Sequence, residues 1–287
     1  MSAPSARAHD RAALTSLSTI AAGHPAARRY ALARRNQLPR SNQVTAVSGW
    51  WAHELVLSAG CDVQTLLWCP GPDEPTGLIA SLRSVAGSTF LVSERTLARL
   101  HPGLSAPAVV SVVQLPSWQP AQVLTEQAQL MLVADGIEYA GNLGSLVRTA
   151  DACGADGLIL TRPRVRPSHS KVFLASRGTV LTMPILTYSS AAGAKRDLAA
   201  AGFTSYVAMP EAATSYRDID FAAARVAVVV GSEGDGVSDG WRTPGLRTVQ
   251  IPMHGNADSL NVAVSAAIVL FEARAQLGRR PTAAGQP

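Results

Sequence analysis

Three stretches in the second half of the chain combine glycines with polar side chains between apolar neighbours, and each could bind a charged or polar ligand. They are residues 135–150 (DGIEYAGNLGSLVRTA), 228–238 (VVVGSEGDGVS) and 251–267 (IPMHGNADSLNVAVSAA). A glycine-containing loop before a helix exposes backbone N–H groups, and anions bind there. Ligands of open parallel sheets lie just beyond the carboxyl ends of the strands. The three stretches therefore predict a ligand site in this half of the chain.

Residue types alone leave more than one role open for these polar side chains. Arg148 lies within an apolar run, where it could bind an anion or be a solvated or salt-bridged arginine. Ser259 is expected at a helix N-cap, and Asn261 in the first turn could serve capping alone. The glycines of 231–236 lack the GxGxxG spacing and no P-loop lysine follows them, which disfavours a dinucleotide-dependent oxidoreductase.

Strands and helices alternate around these stretches, which predicts an α/β fold with a mostly parallel sheet. In the second half we expect strands at 129–134, 157–161, 183–187, 204–209, 225–230 and 248–252. In the same half we expect helices at 143–153, 167–177, 191–201 and 259–276. A smaller β/α pattern comes first, with strands expected at 44–47, 63–69, 89–92 and 108–114.

The basic charge of the chain is concentrated at its start. The net charge is +5, and residues 1–50 contain seven arginines against the single acid Asp10. A short basic segment on a nearly neutral body is typical of a protein that binds a polyanion. We therefore divide the chain into a basic arm (1–43), a small α/β domain (44–116), a linker (117–127) and a larger α/β domain (128–280).

Composition excludes several classes of protein. No run approaches the ~18 apolar residues that a membrane span needs, so we expect no membrane segment. The N-terminus has no apolar stretch behind its arginines, which argues against a secretory signal and leaves organelle import as a minor alternative. The three cysteines have no metal-ligand spacing, so we expect no metal site and a cytoplasmic protein with reduced thiols.

The order and spacing of the three stretches resemble those of the SPOUT superfamily of RNA methyltransferases, in its ribose 2′-O-methyltransferase (SpoU/TrmH-like) branch. The resemblance covers residues 128–278 and all three motifs of that branch. The motifs are N-x-G-x-x-x-R-T-A (Asn142, Gly144, Arg148), G-S-E-x-x-G (Gly231, Ser232, Glu233, Gly236) and I-P-M…S-L-N-V (Ile251 to Val262).

Two further segments carry a resemblance to particular members of that branch. The text ASRG at 175–178 is similar to a segment of the thiostrepton- and nosiheptide-resistance methyltransferases, which act on 23S ribosomal RNA. The front β/α unit resembles the small L30e-like RNA-binding domain. The chain departs from the family at Ala140-Gly141, where a proline commonly precedes the motif asparagine, and at Ser48-Gly49, where Glu-Gly is usual.

The resemblance implies a C-terminal parallel-sheet domain with a deep trefoil knot, a homodimer formed through that domain, and S-adenosyl-L-methionine as the cofactor. It implies a cofactor pocket made by Ala208, Met209, Gly231, Glu233, Gly236, Ile251, Met253, Leu260 and Ala263. The catalytic set it implies is Arg148, Asn142, Ser259 and Asn261.

Arg148 has the central role in the family, either as a general base or as a group that grips phosphate and stabilises charge. We favour the second role, because guanidinium has a pKa above ~12 and stays protonated. Asn142 would orient Arg148, and Ser259 and Asn261 would bond near the ribose. A basic stretch at 162–171 suggests a clamp on the RNA backbone. The other expected RNA contacts are Arg28, Arg29, Arg34, Arg35 and Arg177.

These inferences favour an S-adenosyl-L-methionine-dependent RNA 2′-O-ribose methyltransferase whose substrate is 23S ribosomal RNA. One alternative is a transfer-RNA 2′-O-methyltransferase. Another is an RNA-binding protein that keeps the fold without catalysis, although such a protein would have no need for the intact motif residues.

Overall fold

Two β-sheets form in separate parts of the chain. The computed structural model describes residues 17–39, 41–222, 225–232 and 234–278. The chain divides into one unit of residues 1–115 with 168–170, and a second unit of residues 116–167 with 171–287.

The first unit is built on a five-stranded mixed sheet with strand order β1-β4-β3-β5-β2. Strands β1, β4 and β3 are parallel neighbours, whereas β5 pairs antiparallel with both β3 and β2. The strands are β1 (Thr19–Ile20), β2 (Val44–Ser48), β3 (Val63–Cys69), β4 (Thr89–Val92) and β5 (Ala108–Gln114). The helices are α1 (Pro25–Arg34), α2 (Trp50–Ser58), α3 (Thr76–Val85) and α4 (Glu94–Leu100).

The expectation of a separate basic arm over 1–43 differs from the structure. Strand β1 pairs with β4, and three side chains of α1, Ala27, Tyr30 and Ala33, are buried in the core of the first unit. Their spacing of three residues gives α1 one apolar side, which holds the helix on the sheet. The rest of the expected arm, residues 1–16 and Arg40, lies outside the described residues.

The second unit confirms the expected α/β fold with a parallel sheet. Its six strands are all parallel, in the order β11-β9-β10-β6-β7-β8. The strands are β6 (Leu130–Asp135), β7 (Gly157–Thr161), β8 (Ile185–Tyr188), β9 (Phe203–Ala208), β10 (Arg225–Val230) and β11 (Arg247–Val249). The helices are α5 (Pro120–Val123), α6 (Ala140–Ala152), α7 (Ser170–Ala175), α8 (Ala191–Ala200) and α9 (Val262–Leu277).

Helices cover the strands of this sheet because central strands such as β6 are buried along their whole length, and only the last residue of β6, Asp135, is charged. Helix α8 contacts β7, β8 and β9, and its buried side chains share one core cluster with Met131 and Val133 of β6. Helices α6 and α9 pack against each other, and α9 also contacts β6 and β10. In the described part of the chain, no helix is long and apolar enough to cross a membrane.

Helices α6 and α9 run side by side in the same direction, because contacts join both pairs of ends. At their starts, Asn261 Nδ2 donates to Asn142 Oδ1 at 3.2 Å. At their ends, Arg274 Nε donates to the carbonyl oxygen of Cys153 at 3.0 Å, and its Nη2 donates to that of Gly154. Both helices follow strands of the parallel sheet, so their starts lie at its carboxyl edge.

Gly144 of α6 allows a close approach of the α7 segment. A Cβ atom at this position would lie 2.5 Å from the Cβ of Ala175 and 2.8 Å from the carbonyl oxygen of Val172. Real Cβ atoms do not approach neighbours that closely, so the motif requires glycine here for packing. Gly141, in the same helix, has nothing within 4 Å of the equivalent point.

We expect Gly144→Ala to destabilise the protein by about 1–3 kcal/mol, because the added methyl group must push α7 away from α6. Gly141→Ala is the matched control, and it should be neutral or stabilising by up to ~1 kcal/mol, since alanine favours the helix. Urea denaturation of both variants measures the difference. Equal stability of the two variants would contradict the packing role of Gly144.

Candidate functional site

A cavity of about 570 Å³ opens at the carboxyl edge of the second sheet. It is lined by the ends of β9, β10 and β11 and by the residues just before and within the start of α9. Seven residues of the expected cofactor set line it: Ala208, Met209, Gly231, Gly236, Ile251, Met253 and Leu260. Ser259 and Asn261 of the expected catalytic set line it as well. Segments far apart in sequence therefore meet at the edge that the motif order predicted.

Other expected residues lie elsewhere. Ala263 is buried in the first turn of α9 and does not line the cavity. Glu233 lies outside the described residues. Asn142 and Arg148 belong to α6, and neither lines the cavity.

The loop from Gly231 to Val237 follows β10 and folds back on itself. The backbone N–H of Ser232 donates to the carbonyl oxygen of Gly236, and the N–H of Gly236 donates to that of Ser232, both at 3.0 Å. A Cβ atom at Gly231 would lie 2.0 Å from the carbonyl carbon of Gly236, and Gly236 itself has a φ of +64°. Both positions therefore require glycine, which explains the motif in backbone terms.

The start of α9 differs from the sequence expectation. The helix begins at Val262, and its N-cap is Asn261, whose side chain accepts a hydrogen bond from the N–H of Ala263 at 2.9 Å. Ser259, the expected N-cap, instead donates to Asp258 Oδ1 at 3.3 Å. An amide carries both an acceptor and a donor, so Asn261 caps α9 and bonds Asn142 at the same time.

Charged side chains that the motifs did not indicate also line the cavity. They are Glu211, Asp235, Asp258 and Arg242. Arg242 Nη1 lies 2.6 Å from Glu211 Oε1, and Arg242 Nε donates to the carbonyl oxygen of Val237 at 3.1 Å. A backbone hydrogen bond and the Arg242 guanidinium hold the pKa of Glu211 below its usual value. Glu211 follows closely on the end of β9, so the strand-end rule could have found it.

Arg148 is exposed on α6, and the described residues give it no hydrogen bond or ion pair. The expected orienting contact from Asn142 is absent, since the two lie six residues, or about 9 Å, apart along one helix. Arg148 follows Gly144 by one turn, on the side of α6 that the α7 segment approaches. The exposed Arg177 follows that segment in the chain and has a φ of +55°.

The basic stretch 162–171 is less basic than its sequence suggests. Arg162 pairs with Asp135 at 3.1 Å. Arg164 pairs with Glu138 and, at 3.3 Å, with Asp235. Two of its arginines are therefore neutralised by carboxylates of the same unit, which weakens its interpretation as an RNA clamp.

The expected RNA-binding arginines of the first unit differ in their surroundings. Arg34 Nε donates to the carbonyl oxygen of Leu100 at 2.9 Å, and Arg29 donates to Gln64 at 2.5 Å, so both have partners within the unit. Arg28 and Arg35 are exposed. Among the described residues, no group of three or more His, Cys, Asp or Glu side chains could hold a metal ion.

Known proteins are similar to the chain in sequence and in fold. A TrmH family tRNA/rRNA methyltransferase of Staphylococcus saprophyticus is 31% identical over 173 residues, which are 60% of this chain and 69% of the relative. The rRNA methyltransferase of Sinorhizobium meliloti, solved with AdoMet, superposes with a TM-score of 0.80 at 23% identity, over 92% of this chain and 99% of its own.

Two solved structures have higher sequence identity. The SpoU methyltransferase AviRb of Streptomyces viridochromogenes, solved with AdoMet, has a TM-score of 0.75 at 27% identity, over 87% of this chain and 96% of its own. A structure described as an RNA 2′-O ribose methyltransferase has a TM-score of 0.68 at 28% identity, over 90% of this chain and 98% of its own. The model of the SpoU rRNA Methylase family matches residues 129–271. With its three motifs converging at one edge of a parallel sheet, the chain belongs to the SpoU/TrmH family of RNA methyltransferases.

Proposed function

We propose that this protein transfers a methyl group from S-adenosyl-L-methionine to a ribose 2′-hydroxyl of 23S ribosomal RNA. The observation that carries the proposal is the cavity, because the second and third motif stretches build its wall and α6, which carries the first, begins beside it. The segment at 175–178 and the SpoU rRNA Methylase match support a ribosomal substrate. Transfer RNA is the alternative substrate.

The cavity fits S-adenosyl-L-methionine in size and chemistry. Its volume of about 570 Å³ lies within the ~300–1,000 Å³ typical of small-molecule sites. Ala208, Met209 and Leu260 give it apolar surface, and the carboxylates of Asp235 and Asp258 suit a cationic ligand. Gly231 and Gly236 line it with backbone atoms and no side chain. When bound, S-adenosyl-L-methionine supplies an electrophilic methyl group on its sulfonium.

We expect Ala208→Trp to weaken S-adenosyl-L-methionine binding by about 30-fold or more, because the indole would fill the part of the cavity at the end of β9. The cofactor would then lose the contacts of a whole chemical group there. The matched control is Ala199→Trp, an exposed position of α8 that does not line the cavity. Isothermal titration calorimetry measures both dissociation constants. Unchanged affinity in a folded Ala208→Trp variant would show that the cofactor binds elsewhere.

In this proposal the chain aligns the reacting groups and stabilises charge. Alignment of donor and acceptor alone can contribute ~7–11 kcal/mol. The guanidinium of Arg148 grips the phosphate next to the target ribose and stabilises negative charge on the 2′-oxygen as the hydroxyl proton passes to water. Ser259 and Asn261 at the cavity bond the ribose, and Asn142 acts by holding Asn261 rather than Arg148.

We expect Arg148→Ala to lower methyl transfer by about 10²–10³-fold, the usual cost of removing a group that stabilises developing charge. Its S-adenosyl-L-methionine affinity should stay within about two-fold, since Arg148 does not line the cavity. The control Arg196→Ala removes an exposed arginine of α8. Transfer of labelled methyl to RNA measures activity, and full turnover by Arg148→Ala would refute its role.

An apolar side of α9 supports the homodimer. Val264 and Phe271 lie seven residues apart on this helix and are 46% and 50% exposed. Two turns separate them, so they lie on one side, which a second copy of the chain would cover. A solution mass near twice the 30.0 kDa of one chain supports this dimer, and a monomer contradicts it. The deep trefoil knot implied by the family resemblance belongs to the same proposal.

The first unit contributes RNA affinity through exposed arginines. We expect the double variant Arg28→Gln/Arg35→Gln to weaken RNA binding and to reduce the slope of log affinity against log salt by about 1–2. Deletion of the N-terminal residues through α1 is a poorer test, because it removes Tyr30 and Ala33 from the core of the first unit. The control Arg95→Gln/Arg99→Gln removes two exposed charges of α4. Equal slopes for both double variants would mean that α1 has no special contact with RNA.

A further inference from the structure

Asp135 is a charged residue in the core of the second unit. It is the last residue of β6 and its side chain is 0% exposed. A buried carboxylate is costly unless hydrogen bonds and a positive charge replace the lost water. The hydrogen-bond partners of Asp135 therefore show which parts of the chain its carboxylate holds together.

Donors from two chain segments, residues 161–162 and Ser238, surround this carboxylate. Thr161 Oγ1 donates to Oδ1 at 2.7 Å, and Arg162 donates through Nε at 3.2 Å and Nη2 at 3.1 Å. The backbone N–H of Ser238 donates to Oδ2 at 2.7 Å. Burial alone would raise the pKa of Asp135, but these hydrogen bonds outweigh it and hold the pKa below its usual value. The group is therefore an anion at neutral pH.

The Ser238 contact joins this anion to the cavity wall. Ser238 directly follows the loop from Gly231 to Val237, and five residues of that loop line the cavity. The same network continues to Trp241, which is fully buried and whose Nε1 donates to Thr161 Oγ1 at 3.3 Å. The segment after the loop is thus fixed to the ends of β6 and β7.

Asp135 itself does not line the cavity. The loop has other contacts, including the pair of Arg164 with Asp235, but those two side chains are 52% and 70% exposed. Water and salt screen exposed pairs, whereas a buried, fully hydrogen-bonded anion holds its partners strongly. The buried contact to Ser238 is therefore the firmer anchor of the loop.

We propose that Asp135 is a positioning residue that holds the loop 231–238 in the shape that binds the cofactor. This inference rests on the proposed cofactor site. It assigns a role to a side chain that touches neither cofactor nor RNA, and it predicts that cofactor affinity falls when the contact to Ser238 is lost, even where the protein stays folded.

Two variants of Ser238 isolate this contact. Its φ of −68° suits proline, so Ser238→Pro removes the N–H donor without changing this backbone angle. Ser238→Ala keeps the N–H and removes only the hydroxyl. Asp135→Asn removes the charge while keeping the shape of the side chain.

Arg225→Gln supplies a control for general destabilisation. Arg225 donates to the carbonyl oxygen of Ala128 at 2.7 Å and to those of Thr125 and Ala201, at the amino edge of the sheet. Its guanidinium also lies 4.3 Å from the centre of the Phe203 ring. Loss of these Arg225 contacts should lower the melting temperature of the protein and leave the loop 231–238 in place.

The experiment compares these full-length variants by calorimetric titration with S-adenosyl-L-methionine and by hydrogen exchange of the amides of 232–238. We expect Asp135→Asn and Ser238→Pro to raise the dissociation constant about ten-fold or more and to speed exchange in this loop. Ser238→Ala and Arg225→Gln should stay within about two-fold of the parent in affinity.

The proposal is overturned if folded Asp135→Asn and Ser238→Pro bind the cofactor as the parent does, or if Arg225→Gln weakens binding as much. Failure of the cofactor site itself gives a different pattern, since Ala208→Trp would then also bind normally. If Ala208→Trp loses binding while Asp135→Asn and Ser238→Pro bind normally, only the role of Asp135 is overturned.

Discussion

The parallel pairing of α6 and α9 is the constraint on which the arrangement of the site depends. Asn142 and Asn261 are 119 residues apart in sequence, yet their amides bond at the starts of the two helices. At the other end, Arg274 of α9 bonds the carbonyl oxygens of Cys153 and Gly154, where α6 has ended. With both ends fixed, neither helix can slide along the other. The first motif is therefore held in register with the third.

The two edges of the second sheet carry opposite charges that bond the chain around them. At the carboxyl edge the buried anion of Asp135 gathers N–H and O–H donors and so fixes a loop. At the amino edge the guanidinium of Arg225 gathers carbonyl oxygens. Each charge bonds backbone groups of segments that flank the sheet, namely the N–H of Ser238 at one edge and the carbonyl oxygens of Thr125, Ala128 and Ala201 at the other. One charged side chain therefore ties neighbouring segments to each edge, and at the carboxyl edge the segment it ties follows the loop that lines the cavity.

Sequence predicted the class of the fold, and most residues of the expected cofactor set line one cavity, because both depend on local patterns. Apolar runs gave strands such as β6 and β10, and motif stretches at strand ends gave most of the cavity lining. The requirement for glycine at 231 and 236 became clear only from the backbone contacts across the loop.

Other features depend on tertiary partners, which a single sequence does not reveal. The arginines of α1 suggested an arm, but Tyr30 between them is in the core. Arg162 and Arg164 suggested an RNA contact until their carboxylate partners were seen. Asn261, and not Ser259, is the N-cap of α9 because the helix begins at Val262, and the amide of Asn261 also bonds Asn142 across to α6.

The most direct test of the account is to map ribose methylation on RNA. Protein-free 23S ribosomal RNA and transfer RNA are incubated with the protein and S-adenosyl-L-methionine, then cleaved with alkali, which spares linkages whose 2′-oxygen carries a methyl group. We expect a new alkali-resistant linkage in 23S ribosomal RNA that the Arg148→Ala protein does not produce. Methyl groups found on a base, only in transfer RNA, or nowhere would contradict it.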